Sequence, residues 1–264
     1  TDTAMATISM NTITGIRNTL AIPDNANGIT LLGNTFAIVM DNTMTNNGQH
    51  GISVDTARAE LVRNILRRNQ VSGLRFFETF MATATDNVIE ENGSTVLRRD
   101  SAGILVQPRS NVVMNHNLIQ SNEGEGGLVI DDSAATAADN TICTNGLNGV
   151  LVQNQATATL RDNLVCANRG DGIQVGGERS FFDANALISG GVIEQNQRHG
   201  IVVVRNSHVR IGFEGETLHI AANAGAGILV CVDSFAEIDF TRILFTANAE
   251  GNLVEAAPVT NCVP

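Results

Sequence analysis

The sequence has no tryptophan, no tyrosine and no lysine, and only 4 prolines. Without Trp and Tyr it lacks the side chains on which sugar rings most often stack. Several of its 10 Phe fall at positions that the repeat described below turns inward. All 16 basic residues are arginine, against 27 acidic ones, for a net charge of −11. There is no basic patch, no aromatic-interleaved basic run and no zinc-ligand spacing. Nucleic acid is therefore not an expected partner, because the field of the whole chain opposes a phosphate backbone. No stretch is apolar for long enough to cross a bilayer, so membrane insertion is not expected either. No segment between turn signals holds the three turns that a stable helix needs. The chain opens on Thr1-Asp2-Thr3 without a charged leader region, as a mature or trimmed chain would. No Gly-, Ser- or Pro-rich linker divides it, which predicts a single domain over residues 1–264.

What is present is a repeat. The phrase Gly-apolar-x-apolar recurs at Gly28, Gly51, Gly73, Gly103, Gly127, Gly149, Gly172, Gly200, Gly227 and Gly251, with spacings of 23, 22, 30, 24, 22, 23, 28, 27 and 24. A second series keeps step with it: Asn47, Asn69, Asn92, Asn122, Asn145, Asn168, Asn196, Asn223 and Asn248. Five residues ahead of its first six members stand Asn42, Asn64, Asn87, Asn117, Asn140 and Asn163. A short apolar element lies between the two asparagines, and period-two stretches lie elsewhere in each unit. Ile104/Val106, Leu128/Ile130, Val150/Val152 and Ile173/Val175 alternate as inward residues of a strand do. Each unit thus reads as three short strands and their corners. Stacking the units places equivalent residues one strand spacing apart, about 4.8 Å. The fold class predicted is all-β: a parallel β-helix, or solenoid, of about ten coils with three strands per coil. An asparagine amide can donate to one coil and accept from the next, so a column of asparagines satisfies itself. Asparagine also tolerates the left-handed backbone of a sharp corner, and such bends are expected at these residues.

On phrases such as Asn140-Thr-Ile-Cys-Thr-Asn145-Gly-Leu-Asn-Gly149-Val-Leu-Val152 the chain resembles the right-handed parallel β-helix proteins of the pectate-lyase-like superfamily, over about residues 24–255. The resemblance implies the handedness. It says little of function, because that fold carries lyases, hydrolases, epimerases and non-enzymatic surface proteins. Enzymes of the superfamily work on the face of the strand that follows the glycine, with carboxylates there and on the adjoining corner.

The ends and the interruptions of the repeat are legible too. Residues 1–27 read as a degenerate coil or N-terminal cap, 28–251 as regular coils and 252–264 as a C-terminal cap. Insertions fall around Gly93–Ala102, Gly176–Ala186 and Gly212–Glu216, at three different corners. Cys143 and Cys166 hold the same place in consecutive units, and Cys231 and Cys262 flank the C-terminal cap. Two bridges, Cys143–Cys166 and Cys231–Cys262, would imply an oxidising compartment. The alternative is four buried free thiols.

The outward residues after the glycines are Ser53, Arg75, Leu105, Val129, Leu151, Gln174, Val202 and Leu229, none of them acidic. Leu105, Val129 and Leu151 predict a continuous exposed apolar strip, covered by a terminal segment or by a partner. The adjoining corner offers Asp55, Glu78, Arg109, Asp131 and Asp132. Glu78, Arg109, Asp131 and Asp132 form the one cluster that resembles, through the superfamily, the carboxylates and arginine of a calcium-dependent lyase or the carboxylate pair of a hydrolase. The competing reading is an ordinary charged corner neutralised by Arg109. Thr83, Thr85, Thr136, Thr157 and Thr159 suggest an ice-binding array, but Asn111, Val113 and Asn115 break the row. The five histidines have no metal-ligand spacing, so no metal site is expected. Of these residues His50 and His199 share a repeat position.

Three functional readings follow. The first is an extracellular or cell-surface β-helix acting as a structural or binding module for a polysaccharide or a protein surface, with no cofactor. The second is a polysaccharide lyase or glycoside hydrolase, in which calcium enters only with the lyase. The third is a fragment of a larger adhesin or spike. Ligand and oligomeric state are not encoded in the repeat.

Overall fold

A computed structural model of the chain describes residues 4–17, 26–94, 101–177 and 182–257. These residues form three parallel sheets of ten strands each, and each sheet takes every third strand of the chain. One coil illustrates the rest. Asn111–Asn115 lies in the first sheet, Leu118–Gln120 in the second and Gly126–Asp131 in the third, with corners at Asn117, Asn122 and Ser133. The only helical turn among the described residues is Phe240–Arg242, capped by Asp239.

The interior is one continuous apolar cluster running the length of the solenoid. Ile104, Leu128, Val150 and Ile173 stack in register in the third sheet, each at most 2% exposed, as the alternation requires. Burying each such side chain contributes on the order of 1.5–3 kcal/mol, and the coil makes this possible only by repeating.

Two asparagine ladders hold the corners. In the second, Asn122 receives the backbone N–H and the side-chain amide of Asn92 on its Oδ1, both at 3.0 Å, and passes its own Nδ2 to Asn145 at 3.2 Å. The same Nδ2 also donates back to Ile89 O at 2.9 Å. The pattern repeats from Asn47 to Asn248. The first ladder runs from Asn11, a member outside the regular series, to Asn163. It stops where Gly190 and Gly191 replace the next corner.

The left-handed bends are not where the corner asparagines predict them. They fall one residue earlier, at Asp41, Asn46, Arg63, Arg68, Asp86, Glu91, Ala167 and their equivalents. The asparagine must turn its side chain inward to stack, so its exposed predecessor takes the positive φ. The recurrent glycines from Gly28 to Gly227 likewise serve close approach rather than a left-handed bend, and only the last, Gly251, takes a positive φ in open space. A Cβ on Gly103 would lie 2.6 Å from Gly127 O and 2.7 Å from Asn122 Nδ2. Under the third corner runs a column of hydroxyls that the repeat did not announce: Thr79 N–H donates to Ser110 Oγ at 3.2 Å, and Ala184 N–H to Ser207 Oγ at 3.1 Å.

At the N-terminal end, Ala4–Ser9 and Thr12–Thr14 pair with the first regular coil. At the other end, where the repeat predicts a cap from residue 252, Leu253–Ala257 still pair with Ile228–Cys231 as the last strand of the third sheet, with a register shift. No helix of the described residues is long and apolar enough to cross a membrane.

Candidate functional site

The predicted corner residues have the following partners. Glu78, Arg109 and Asp132 stand in one corner column, all with positive φ, and are joined through their backbones: Arg109 N–H donates to Asp132 O at 2.9 Å. The Arg109 guanidinium pairs directly with Glu78 at the surface. Asp131 instead accepts the Asn154 side-chain amide at 2.6 Å, away from that pair. Among the described residues, no three His, Cys, Asp or Glu side chains are grouped to hold a metal ion.

The apolar strip points outward as the alternation predicts, but it is not exposed. Leu105, Val129 and Leu151 are 2%, 0% and 6% exposed and form a small cluster of their own with Ala102, separate from the interior. A second such cluster, Val202, Val204, Ala226, Leu229 and Cys231, lies further along the same face. Both are covered within the chain itself. The third-sheet face is therefore closed over much of its length, and its direction alone could not reveal that.

It opens toward the N-terminal coils. A groove of about 450 Å³ lies there, lined by Asn27, Gln49, His50, Ser53, Asp55 and Arg75 among others. Thr30, Ser53, Arg75 and Leu105 form its floor in strand register. Arg75 is fixed by its own surroundings: Nε donates to Gln107 Oε1 at 2.6 Å, one terminal nitrogen donates to Ser53 Oγ at 3.2 Å, and the guanidinium lies 4.9 Å from the Phe77 ring centre. Burial, helped by the nearby Arg75 charge, pushes the His50 imidazole down from 6.5 to about 3, so it is neutral in ordinary buffers.

His50 belongs to a column that the sequence showed only in part, namely the residue before each recurrent glycine. Polar side chains in this column cap the backbone of the next coil. Asn27 Oδ1 accepts His50 N–H at 3.1 Å. Asn148 Oδ1 accepts Asp171 N–H at 3.0 Å, Asp171 Oδ1 accepts His199 N–H at 2.9 Å, and His199 Nδ1 accepts Ala226 N–H at 2.9 Å. Asp171 is fully buried. Its burial raises the carboxyl pKa, opposed by Arg198 at 3.1 Å, and burial likewise lowers His199. Two members break the relay. His50 Nδ1 and Ser72 Oγ are buried with no hydrogen-bond partner among the described residues. The two residues are register neighbours on adjacent strands. The shared repeat position of His50 and His199 is legible in the sequence, but their hydrogen-bonding difference is not.

The outer face of the first sheet carries the threonines. Thr136 and Thr159 are in register, but Val113 and Leu187 flank them in the same row. Of the cysteines, Cys143 and Cys166 form a disulfide across adjacent strands of the second sheet, with Cα atoms 4.6 Å apart. Cys231 is also disulfide-bonded, and its expected partner Cys262 lies outside the described residues. So do residues 95–100 and 178–181, within two of the predicted insertions.

The right-handed β-helix region family matches this chain in three overlapping stretches, residues 1–97, 27–191 and 102–258, and the chain belongs to that family. Among solved structures it is similar to the A-module of mannuronan C-5 epimerase AlgE6 of Azotobacter vinelandii, at 14% identity and a TM-score of 0.62, over 95% of this chain and 86% of that one. The A-module of the same organism's mannuronan C-5 epimerase AlgE4 matches at 13% identity and a TM-score of 0.58, over 92% of this chain and 70% of that one. At such identities the likeness is one of fold. No curated protein matches the sequence.

Proposed function

We propose that the chain is an extracellular or cell-surface glycan-binding module, and that its site is the N-terminal groove on the outer face of the third sheet. The observation that carries this reading is the groove's lining of amides, hydroxyls, one fixed guanidinium and one neutral imidazole. Such groups match the hydroxyls of a sugar chain. The Cys143–Cys166 bridge supports an oxidising compartment. The epimerase modules that share the fold are named for a polysaccharide, mannuronan, which lends the reading weight by analogy.

Binding without turnover is favoured by what the groove lacks. Among the described residues Asp55 is the one carboxylate in its lining, and His50 is too weak a base to take a proton near neutrality. Glu78 and Asp131 are engaged elsewhere. The proposed binding needs no cofactor, and the net charge of −11 disfavours polyanions. Affinity electrophoresis against neutral and acidic polymers tests the reading, with retardation by a neutral glycan that weakens in Arg75→Ala as the expected result. Release of unsaturated uronates or new reducing ends, abolished by Asp131→Ala or Arg109→Ala, would overturn it in favour of a lyase or hydrolase.

A further inference from the structure

The geometry points to a protein-docking stripe on the outer face of the second sheet, whose partner is a basic amphipathic helix. The stripe is one residue wide. Ile65, Val88, Leu118, Thr141, Leu164 and Val192 stand in register on consecutive strands. Their neighbours Leu66, Ile89, Ile119, Ile142, Val165 and Ile193 point inward, each at most 1% exposed, so the stripe faces out. Ile65 is 42% exposed and the other members are part-buried. The third sheet carries an outward apolar row of the same kind, but there Leu105, Val129 and Leu151 are covered within the chain. The chain thus shields one such row and leaves the other open to solvent. Five large apolar side chains in one line, interrupted only by Thr141, are a surface that a partner would desolvate.

Charge decides the kind of partner. On one side Asp86, Asp139 and Asp162 each stand two residues before a member of the stripe, and on the other Glu90 and Glu194 each stand two residues after one. Among the described residues Asp86, Asp162 and Glu194 form no salt bridge, while His116 approaches Asp139 at 3.9 Å. The arginines beside the stripe, Arg63, Arg67 and Arg161, are engaged by Asp41, Glu91 and Glu214. The result is an apolar line between two acidic margins, on a chain of net charge −11. A second copy would bring the same carboxylates face to face, whereas lysine or arginine on both sides of an apolar edge complements them. The spacing sets the partner's shape. Members of the stripe repeat at about 4.8 Å, close to the helical pitch of about 5.4 Å. Its five steps span about 24 Å, the length of a helix of about 16 residues. Such a helix meets the stripe with one apolar edge, about once per turn, and its basic side chains reach both margins.

The test titrates the whole chain with a labelled helical peptide of about 16 residues that carries leucines along one edge and lysines on both sides of it. A second peptide has glutamate for every lysine. Thr43 and Thr141 already stand in the row, so Leu118→Thr with Leu164→Thr removes the apolar edge without a foreign shape. Val113→Thr with Leu187→Thr makes the same change on the outer face of the first sheet and serves as the control. Asp86→Asn with Asp162→Asn removes charge at corners whose left-handed backbone asparagine also adopts. Circular dichroism checks the fold of each variant. The lysine peptide is expected to bind the parent and the control alike, and the stripe variant about tenfold more weakly. The asparagine variant is expected to bind it about threefold more weakly, with a shallower salt dependence. The glutamate peptide is expected not to bind. No binding of the lysine peptide by the parent, or equal losses in the stripe and control variants, would overturn the docking stripe. An asparagine variant that binds as the parent does would overturn the acidic margins as the selecting feature. A parent that dimerises in sedimentation, and ceases to with Leu118→Thr and Leu164→Thr, would make the occupant a second copy and overturn the inference.

Discussion

Replacing Asn122 by alanine removes four hydrogen bonds at one buried corner. Its Oδ1 no longer accepts the backbone and side-chain N–H groups of Asn92, and its Nδ2 no longer reaches Ile89 O or Asn145 Oδ1. Two of the partners keep a second bond: Asn92 Nδ2 still donates to Leu66 O, and Asn145 Oδ1 still accepts Asn122 N–H. The Asn92 backbone N–H loses its ladder acceptor. At about 1 kcal/mol per bond, with a further 1 kcal/mol or so for the stranded donor, the loss is about 4–5 kcal/mol. Asn163 closes the first ladder and makes only three comparable side-chain bonds, two from Asn140 and one to Ala137 O. Asn163→Ala, which strands the Asn140 backbone N–H in the same way, should therefore cost less, about 3–4 kcal/mol. Urea unfolding followed by circular dichroism measures both, with the slope watched because a solenoid can come apart coil by coil. A loss below about 1 kcal/mol for Asn122→Ala, or a larger loss for Asn163→Ala, would refute the stacked amides as the force that holds the corners.

Other expectations follow from named groups. His50 has a native pKa of about 3 against an ordinary 6.5, so the unfolded chain binds its proton first. The stability that the neutral imidazole contributes is complete above pH 6.5 and is lost as pH falls toward 3, amounting to about 2 kcal/mol by pH 5. Between pH 7 and 5, His50→Phe should lose about that much less than the parent in urea titrations, and equal losses would contradict a buried neutral histidine. The Cys143–Cys166 bridge closes a 23-residue separation, so removing both cysteines should destabilise by about 3 kcal/mol. Non-reducing peptide mapping should show Cys143, Cys166 and Cys231 all protected from alkylation. Arg109→Ala breaks a solvent-exposed pair and should change stability by less than about 1 kcal/mol. A larger effect would show that the corner column depends on its charges.

Much of the architecture was legible because every coil writes it again. The glycines, both asparagine series and the inward pairs such as Ile104/Val106 are constraints that each coil imposes on the next, so they recur at one spacing. What occurs once leaves no such trace. The left-handed corners accept Arg63, Glu91 or Ala167 alike, since their side chains face solvent and only the backbone is constrained. The direction of Leu105, Val129 and Leu151 was readable, but their burial depends on what lies over them. Opposite charges near one corner made Glu78 and Arg109 a legible pair, whereas the Asn154 amide on Asp131, from the following coil, left no mark in the sequence. The residues before the glycines did offer a signal: Asn27, His50, Ser72, Asn148, Asp171, His199 and Glu250 form a polar series at one place in the unit. Which of them is left without a partner required coordinates.

The asparagine ladders also have a direction. In every step the earlier coil supplies the donors and the later coil the acceptor, from Asn11 to Asn163 on one corner and from Asn47 to Asn248 on the other. A chain leaving the ribosome therefore exposes donors first, and each newly emerged turn arrives carrying the oxygen that receives them. Growth in the order of translation never has to reopen a finished step, so the solenoid can be laid down behind the ribosome as a templated polymer, each turn serving as the mould for the next.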